Sequence, residues 1–398
     1  MKSQKNKTEK KIKLAVCLAS PFVGGNERQI KRLTQEFVKR NYEITLVAWA
    51  GKPSERFFRS FSWARRVIVS QVLPHPVSFF LRQLEDDKPD LIIDSGAAGF
   101  SVEIAKHFHR PLFWRVISDP RHWPGNKKVF QDPTKQFLKM MGAFSNKIIF
   151  LSDSLKKPFI KLGLKNYERI YNGCDTDLFY PNFDQRRQFR KEFGLDDEEI
   201  SIGVVANILP RKRHEAVIQA LARLSKDGLP FKCFFIGAFE ETLATRNQKK
   251  KLDKLIAKYG LKKSIVFTGS RNDRNRFMNG LDIHLFPFQG EGCSNALLEA
   301  MACEKAVIAN NEGPFPEIIG HAREGLLVPM EDSKLFETQI ASLIRDSKQR
   351  FSLGKRARLR ILKKFSIEKQ INTYDRLFKA ASRDLLSVSN GSTAIARA

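Results

Sequence analysis

Apolar segments of four to seven residues alternate with amphipathic stretches along this chain, and they do so twice. Strand-like runs stand at 13–19, 43–48, 91–94, 112–117, 147–151 and 168–171. Helical patterns lie between them at 27–40, 76–85, 99–109, 134–143 and 154–162. Near-continuous apolar strands separated by helices imply a parallel sheet covered on both faces. The alternation stops after Asn172, where Gly173, Pro181 and a charged helical stretch follow. It resumes with strands near 201–206, 232–236, 264–267, 282–286 and 306–309. Helices are expected near 214–226, 247–258, 273–280, 294–303 and 314–319, and again at 332–345, 347–363 and 367–385. The expected fold class is α/β, two doubly wound Rossmann-like parallel-sheet domains facing a cleft. Ligands of such sheets bind beyond the carboxyl ends of the strands. The expected boundaries are a first domain at 1–172, a linker at 173–198, a second domain at 199–365, a helix at 366–385, and a small polar tail at 386–398 without structure.

Composition narrows the function classes. A chain of 398 residues is long for a single core. No apolar run approaches the ~20 residues that cross a bilayer. The Lys-rich opening followed by Leu14 to Ser20 runs directly into Pro21 and Gly24-Gly25, so it reads as a first strand rather than a secretory leader. Five cysteines without paired spacing point to reduced thiols in a cytoplasmic protein. The net charge is +27, of which residues 1–170 carry +17 and the remaining 228 carry +10. Such a field attracts anionic lipid surfaces, phosphorylated glycans or nucleic acid. Nucleic acid is not expected: Lys249-Lys250-Lys251 has no accompanying zinc or helix-turn-helix pattern. A dinucleotide oxidoreductase would need G-x-G-x-x-G after a strand, and Val23-Gly24-Gly25-Asn26 does not fit it.

The chemistry concentrates at Glu291-Gly-Cys-Ser-Asn-Ala-Leu-Leu-Glu299, followed by Ala-Met-Ala-Cys. A buried strand (Leu281 to Phe286), a turn and a buried helix succeed one another here. That order presents backbone N–H groups and the positive end of a helix to whatever sits at the turn. An anion such as a diphosphate fits there. Glu299, among Leu297, Leu298, Ala300 and Met301, is partly buried and needs a partner. It lies within reach of a sugar hydroxyl beside that anion, and Glu291 stands at the mouth of the turn. Diphosphate plus hydroxyls describes a nucleotide sugar.

These residues resemble the E-G-x-x-x-x-L-L-E-A-M-A motif of glycosyltransferase family four, retaining enzymes of the GT-B fold. The resemblance runs from about Lys13 to Asp346 through four more blocks: Leu14 to Arg28, Ile170 to Phe179, Ala206 to Arg213, and Phe267 to Gly269. It implies that Glu299 holds the donor ribose and Glu291 the donor sugar. It implies that backbone N–H groups of Cys293, Ser294, Asn295 and Ala296 hold the diphosphate, and that Lys212 neutralises it. It also implies that the last helix crosses back to the first domain. The chain departs from the family at Asn207, where an arginine is usual, and Arg211 or Arg213 is then expected to supply the missing cation. Three cations just before a helix that begins near His214 call for an offsetting anion.

The remaining candidates lie at strand ends. Gly24 and Gly25 follow the first strand and open a helix. Asp119 and His122 follow the strand ending at Ile117, near where the family places a histidine. Asn172 stands at the domain junction; Gly237 and Arg271 frame the nucleoside. His284, between apolar neighbours, reads as a packed core residue. No acidic metal motif accompanies the diphosphate loops, so neither a metal nor a cofactor is expected. The resemblance implies transfer of a hexose to an acceptor hydroxyl with retention of configuration. The basic first half points to a glycan or lipid-linked acceptor of the cell envelope and to an anionic membrane surface. The alternatives are a catalytically silent relative that binds glycan or membrane, and a basic nucleic-acid-binding protein.

Overall fold

The computed structural model describes residues 11–20, 23–71, 77–97, 99–120, 132–196, 198–239 and 243–395. The first seven strands are β1 (Ile12–Ser20), β2 (Tyr42–Ala50), β3 (Arg66–Ser70), β4 (Leu91–Asp94), β5 (Leu112–Val116), β6 (Lys147–Phe150) and β7 (Tyr167–Arg169). They form one parallel sheet in the order β3-β2-β1-β4-β5-β6-β7. The next six are β8 (Ile200–Val205), β9 (Phe231–Ile236), β10 (Ile265–Gly269), β11 (Ile283–Phe286), β12 (Ala306–Asn310) and β13 (Leu326–Val328). Their order is β10-β9-β8-β11-β12-β13. Both sheets reverse direction once, between β1 and β4 and between β8 and β11. Those two reversals are where a doubly wound sheet opens a crevice.

The helices of the first half are α1 (Gly25–Val38), α2 (Lys52–Arg59), α3 (Val77–Leu84), α4 (Phe100–Phe108), α5 (Asp132–Phe144) and α6 (Lys156–Ile160). Those of the second are α7 (Phe183–Phe193), α8 (His214–Lys226), α9 (Leu243–Lys258), α10 (Arg274–Gly280), α11 (Asn295–Ala302), α12 (Phe315–Ile318), α13 (Ser333–Arg345), α14 (Ser347–Lys364) and α15 (Ile367–Ile395). Among the described residues, no helix is long and apolar enough to cross a membrane.

Five elements differ from the sequence reading. The edge strands β3 and β13 and the short helix α2 are absent from it, because these elements of three to eight residues carry little apolar signal and β3 opens on Arg66 after Arg65. The charged stretch assigned to the linker is α7, and it is part of the second domain. Phe189, fully buried, packs on Phe234, Phe277 and Leu281. It sits so close to Gly280 that a Cβ there would lie 2.1 Å from its ring. The small, polar end, expected without structure from 386, continues α15 to Ile395.

α15 joins the two halves. Its Ile371, Tyr374 and Phe378 enter the apolar cluster of Phe37, Tyr42 and Phe113 in the first half. The Phe378 and Phe113 rings meet edge-on at 4.8 Å. Full burial of such side chains contributes roughly 1.5–3 kcal/mol each, so the crossing is held by packing. Backbone bonds from Cys174 N to Phe365 O (2.7 Å) and from Ile367 N to Cys174 O (2.8 Å) fix where it crosses.

Candidate functional site

The two sheet reversals face each other, and a cavity of about 390 Å³ lies between them. One wall is the loop after β1 and the start of α1; the other is the loop after β11 and the start of α11. Two helix N-termini therefore aim at one space, and each favours an anion. Arg28, Arg211, Lys212, Arg271 and Arg274 line it against Glu27 and Glu291. Five cations against two acids leave a positive chamber.

Glu291 sits beneath Lys212 and Arg211. Lys212 Nζ is 2.7 Å from Glu291 Oε1, and Arg211 bonds the same oxygen. Burial opposes ionisation of Glu291, but the Lys212 ammonium and then the Arg211 guanidinium outweigh it and hold the carboxyl down at about 2. Burial pushes the Lys212 ammonium down to about 8, against the pull of Glu291. Lys212 also stands 4.0 Å above the Phe288 ring. The anion that offsets the cations before α8 is thus Glu291 itself. Arg213 does not join them. It occupies the left-handed region at φ 52° and turns away toward the Met330 carbonyl and Glu331. Of the two cations expected to compensate for Asn207, only Arg211 lines the cavity beside it.

Glu299 is paired as well, with Arg274. Burial raises its carboxyl above the usual range, with Arg274 and Arg28 opposing. It faces an adjoining cavity of about 310 Å³ that shares Arg28, Arg274 and Asn295 with the first. Both glutamates of the motif are therefore satisfied by arginine or lysine, and a ligand reaching either exchanges one polar partner for another.

The halves touch at this site. Ser118 and Glu291 form an isolated antiparallel bridge, and Asp119 N reaches Gly290 O at 3.4 Å. A Cβ on Gly292 would lie 2.3 Å from Ile117 O, so glycine is needed for this approach. Gly237 is needed likewise, because a Cβ there would lie 2.0 Å from Ala206 O at the end of β8. Asn172 Nδ2 donates to Cys293 O (3.0 Å) and Asn295 Oδ1 (2.8 Å), and Asn295 Nδ2 donates to Gly25 O (2.8 Å). Ser294 precedes α11, and Ser294, Cys293 and Ala296 all line the cavity. Gly24 N donates to Glu27 Oε2 at 2.7 Å, which closes the first turn of α1. Arg271 lines the cavity edge, bonded to Asp273 and Glu192 and stacked on Phe277. Asp119 is buried beside the Glu291 loop. His122 lies outside the described residues. His284 is buried in the core against the Met278 carbonyl, away from the cavity.

Sequence reading missed Arg115. It is 1% exposed. Nη1 donates to Asn26 Oδ1 (2.8 Å) and Ser95 Oγ (2.9 Å), and Nη2 to Asn172 Oδ1 (2.5 Å). Through Asn172 and Asn295 it closes a ring of hydrogen bonds across the two helix N-termini. The available signal was a lone cation inside the apolar run Leu112-Phe-Trp-Arg-Val-Ile, which needs buried partners. Glu317 was missed too. Its carboxylate accepts from Asp153 N and Ser154 N, both 2.7 Å, and from the Tyr171 hydroxyl at 2.9 Å, tying α12 to the first half.

Comparison with known proteins agrees with this architecture. The family model for glycosyl transferases group 1 matches residues 185–360, and that for Glycosyltransferase Family 4 matches residues 23–178. N-acetyl-alpha-D-glucosaminyl L-malate synthase of Bacillus anthracis is 25% identical over 242 residues, 61% of this chain and 60% of that protein. A GDP-mannose-dependent alpha-(1-6)-phosphatidylinositol monomannoside mannosyltransferase of Mycolicibacterium smegmatis is 26% identical over 354 residues, 84% of this chain and 89% of that one. The crystal structure of Anabaena HepE in complex with UDP-glucose superposes with a TM-score of 0.80 at 19% identity, covering 93% of this chain and all of the other.

Proposed function

The chain belongs to the GT4-type glycosyltransferases of GT-B fold, and from that premise we propose that it moves a hexose from a nucleoside-diphosphate sugar to a hydroxyl of a cell-envelope glycan or lipid-linked acceptor, with retention of configuration. One observation carries the reading: a cationic cavity lies where two sheet reversals and two helix N-termini face each other. In this reading the diphosphate lies against the turn Cys293 to Ala296 and the Gly24-Gly25 loop. Lys212 and Arg211 offset the charge that grows on the departing diphosphate, with Asn207 donating a hydrogen bond and no metal ion required. Glu299 and Arg274 hold the ribose, Gly237 and Arg271 border the base, and Glu291 and Asp119 face the sugar. Glu291 Oε1 is already engaged by Lys212 and Arg211, which disfavours it as a nucleophile. That supports same-face attack, the leaving phosphate taking the acceptor proton, over a covalent glycosyl-enzyme. The bridges between Ser118 and Glu291 and between Asp119 and Gly290 would exclude water from the closed cleft. The relatives named above include one whose acceptor is a phosphatidylinositol mannoside, which supports an envelope acceptor here.

A panel of nucleoside-diphosphate sugars in thermal unfolding tests this. The true donor at about 100 times its Kd stabilises the fold by roughly 2.7 kcal/mol, and Lys212→Ala abolishes the shift. No shift with any donor, or an unchanged shift in Lys212→Ala, refutes the assignment. NMR of the product then reads the anomeric configuration.

A further inference from the structure

Large apolar side chains exposed on this protein are not scattered. Of the nine among the described residues, six lie on two adjoining segments: Leu178, Tyr180 and Phe183 on the stretch running from Asn172 into α7, and Phe351, Leu359 and Leu362 on α14. Arg358 of α14 donates to the Phe179 carbonyl at 3.2 Å, so the two segments run side by side. Phe183 is 84% exposed, Leu359 65% and Phe351 60%. Apolar exposure concentrated in this way marks a contact surface.

The charge of α14 says what it contacts. The helix carries eight Lys and Arg in 18 residues and no Asp or Glu. All four arginines have structural work, Arg356 by bonding Arg323 O and Ser352 Oγ and the other three at helix ends. Arg350 bonds the Leu343 and Ile344 carbonyls ending α13. Arg358 bonds Ala302 O ending α11, and Arg360 bonds Glu317 and Ile318 O ending α12. They neutralise the negative ends of three helices. Lys348, Lys355, Lys363 and Lys364 are left on the solvent side. At 3.6 residues per turn, Lys348, Phe351, Lys355, Leu359, Leu362 and Lys363 share one face. Lys355 lies 4.3 Å over the Phe351 ring. Two flanking acids are engaged, Asp346 capping α14 through Gln349 N and Asp184 pairing with Arg187. Asp177 and Glu368 stand exposed before the first segment and after α14, outside the apolar face.

We infer that this face of α14, with the segment Leu178–Phe183 beside it, docks onto an anionic lipid bilayer. Apolar tips flanked by long-stemmed cations fit the boundary between headgroups and acyl chains, the stems lying along the apolar layer and the charges at the phosphates. A second copy of this chain fits badly, because a two-fold contact would set the same lysines against one another. The surface is on the second half, although the first half carries the larger net charge. The inference does not rest on the donor reading, since lipid binding is measured without a sugar.

The test is cosedimentation of the full chain with vesicles of phosphatidylcholine alone and with about 30% phosphatidylglycerol, in roughly 0.1 M salt. Wild type binds the anionic vesicles, releases in about 0.5 M salt, and ignores the neutral ones. The triple variant Phe351→Ser, Leu359→Ser, Leu362→Ser and the double variant Lys355→Glu, Lys363→Glu each lose about tenfold or more in affinity. Both keep the wild-type melting temperature and the thermal shift with the donor, because these side chains face solvent outside the cavity. Absence of binding by wild type, or binding by both variants as tight as wild type, overturns the assignment. So does a wild-type dimer in solution that the triple variant dissolves, since the face would then be a protein contact.

Discussion

The two crevices that meet at the cavity are built from opposite materials. The second half supplies ionised groups: Glu291 with Lys212 and Arg211, and Glu299 with Arg274. The first half adds Arg28 and Glu27 at the start of α1, and otherwise supplies neutral amides, hydroxyls and backbone around one buried guanidinium, Arg115, whose three bonds all go to uncharged oxygens. Each choice follows from local burial. In the second half, strand ends open to the cleft and cations gain carboxylate partners. Arg115 lies in mid-sheet, where desolvation is costly unless donors are used; both terminal nitrogens are bonded, and Nε is left without a hydrogen-bond partner among the described residues. The second half therefore carries most of the charge that meets a diphosphate, four of the five cations lining the cavity. The other carries the geometry that holds two helix N-termini in register.

The largest effect expected from this division is at Lys212. Lys212→Ala lowers donor turnover about 100- to 1,000-fold, measured as kcat/KM, with the folded structure retained because Arg211 still pairs Glu291. Turnover within a few-fold of wild type would mean that the ionic half is not where the diphosphate is stabilised.

Arg115 comes next, and its signature differs. Arg115→Met leaves Ser95 Oγ and Asn172 Oδ1 without the donor they have in Arg115, while Asn26 Oδ1 keeps the Ser95 hydroxyl, and it lowers unfolding free energy by roughly 2–4 kcal/mol in denaturant titration. Donor KM rises together with the loss of stability, since the α1 and α11 N-termini lose their spacing. Arg115→Lys recovers only part, because one ammonium cannot span three acceptors with the reach of a guanidinium. A variant as stable as wild type with unchanged KM would show that the ring is ornamental.

A pair of glycine variants sharpens the comparison between halves. Gly237→Ala forces a Cβ onto Ala206 O within the second domain, and Gly292→Ala forces one onto Ile117 O across the cleft. The first is expected to lower stability by about 1–3 kcal/mol. The second is expected to leave each domain's stability nearly unchanged and to lower kcat about tenfold, by holding the cleft open. Identical behaviour of the two would remove the distinction between building a crevice and closing it.

How much of this was legible follows the same physics. Continuous apolar runs alternating with period-3.6 patterns revealed the inner strands of both sheets, and the acid-flanked turn at 291–299 located the cavity, because each depends on neighbours in sequence. β3, five residues long and opening on Arg66 directly after Arg65, carries too little apolar signal, and so does the three-residue edge strand β13. The partners of Arg115 and Glu317 come from segments scattered along the chain, and no local pattern announces such meetings. The resemblance assigned Glu291 to a sugar but had no means of showing that Lys212 and Arg211 already hold it.

That pairing sets the smallest of the expected effects, in pH. The Lys212 ammonium is poised at about 8 and Glu291 at about 2. Glu291 stays ionised throughout the neutral range, so it adds no acid limb above about pH 3. Lys212 is charged below its value and loses its proton above it, so positive charge beside the diphosphate falls as pH rises. kcat/KM for the donor, which reports the free enzyme, is therefore flat to about pH 7.5 and declines a few-fold by about pH 8.5. Lys212→Arg removes the decline, because a guanidinium keeps its proton over this range. Glu291→Gln shifts it the other way: without the carboxylate that favours the ammonium, the loss of donor affinity begins at lower pH. A wild-type profile still flat at about pH 9.5 would place the titration, and with it the charge that the donor meets, on some residue other than Lys212.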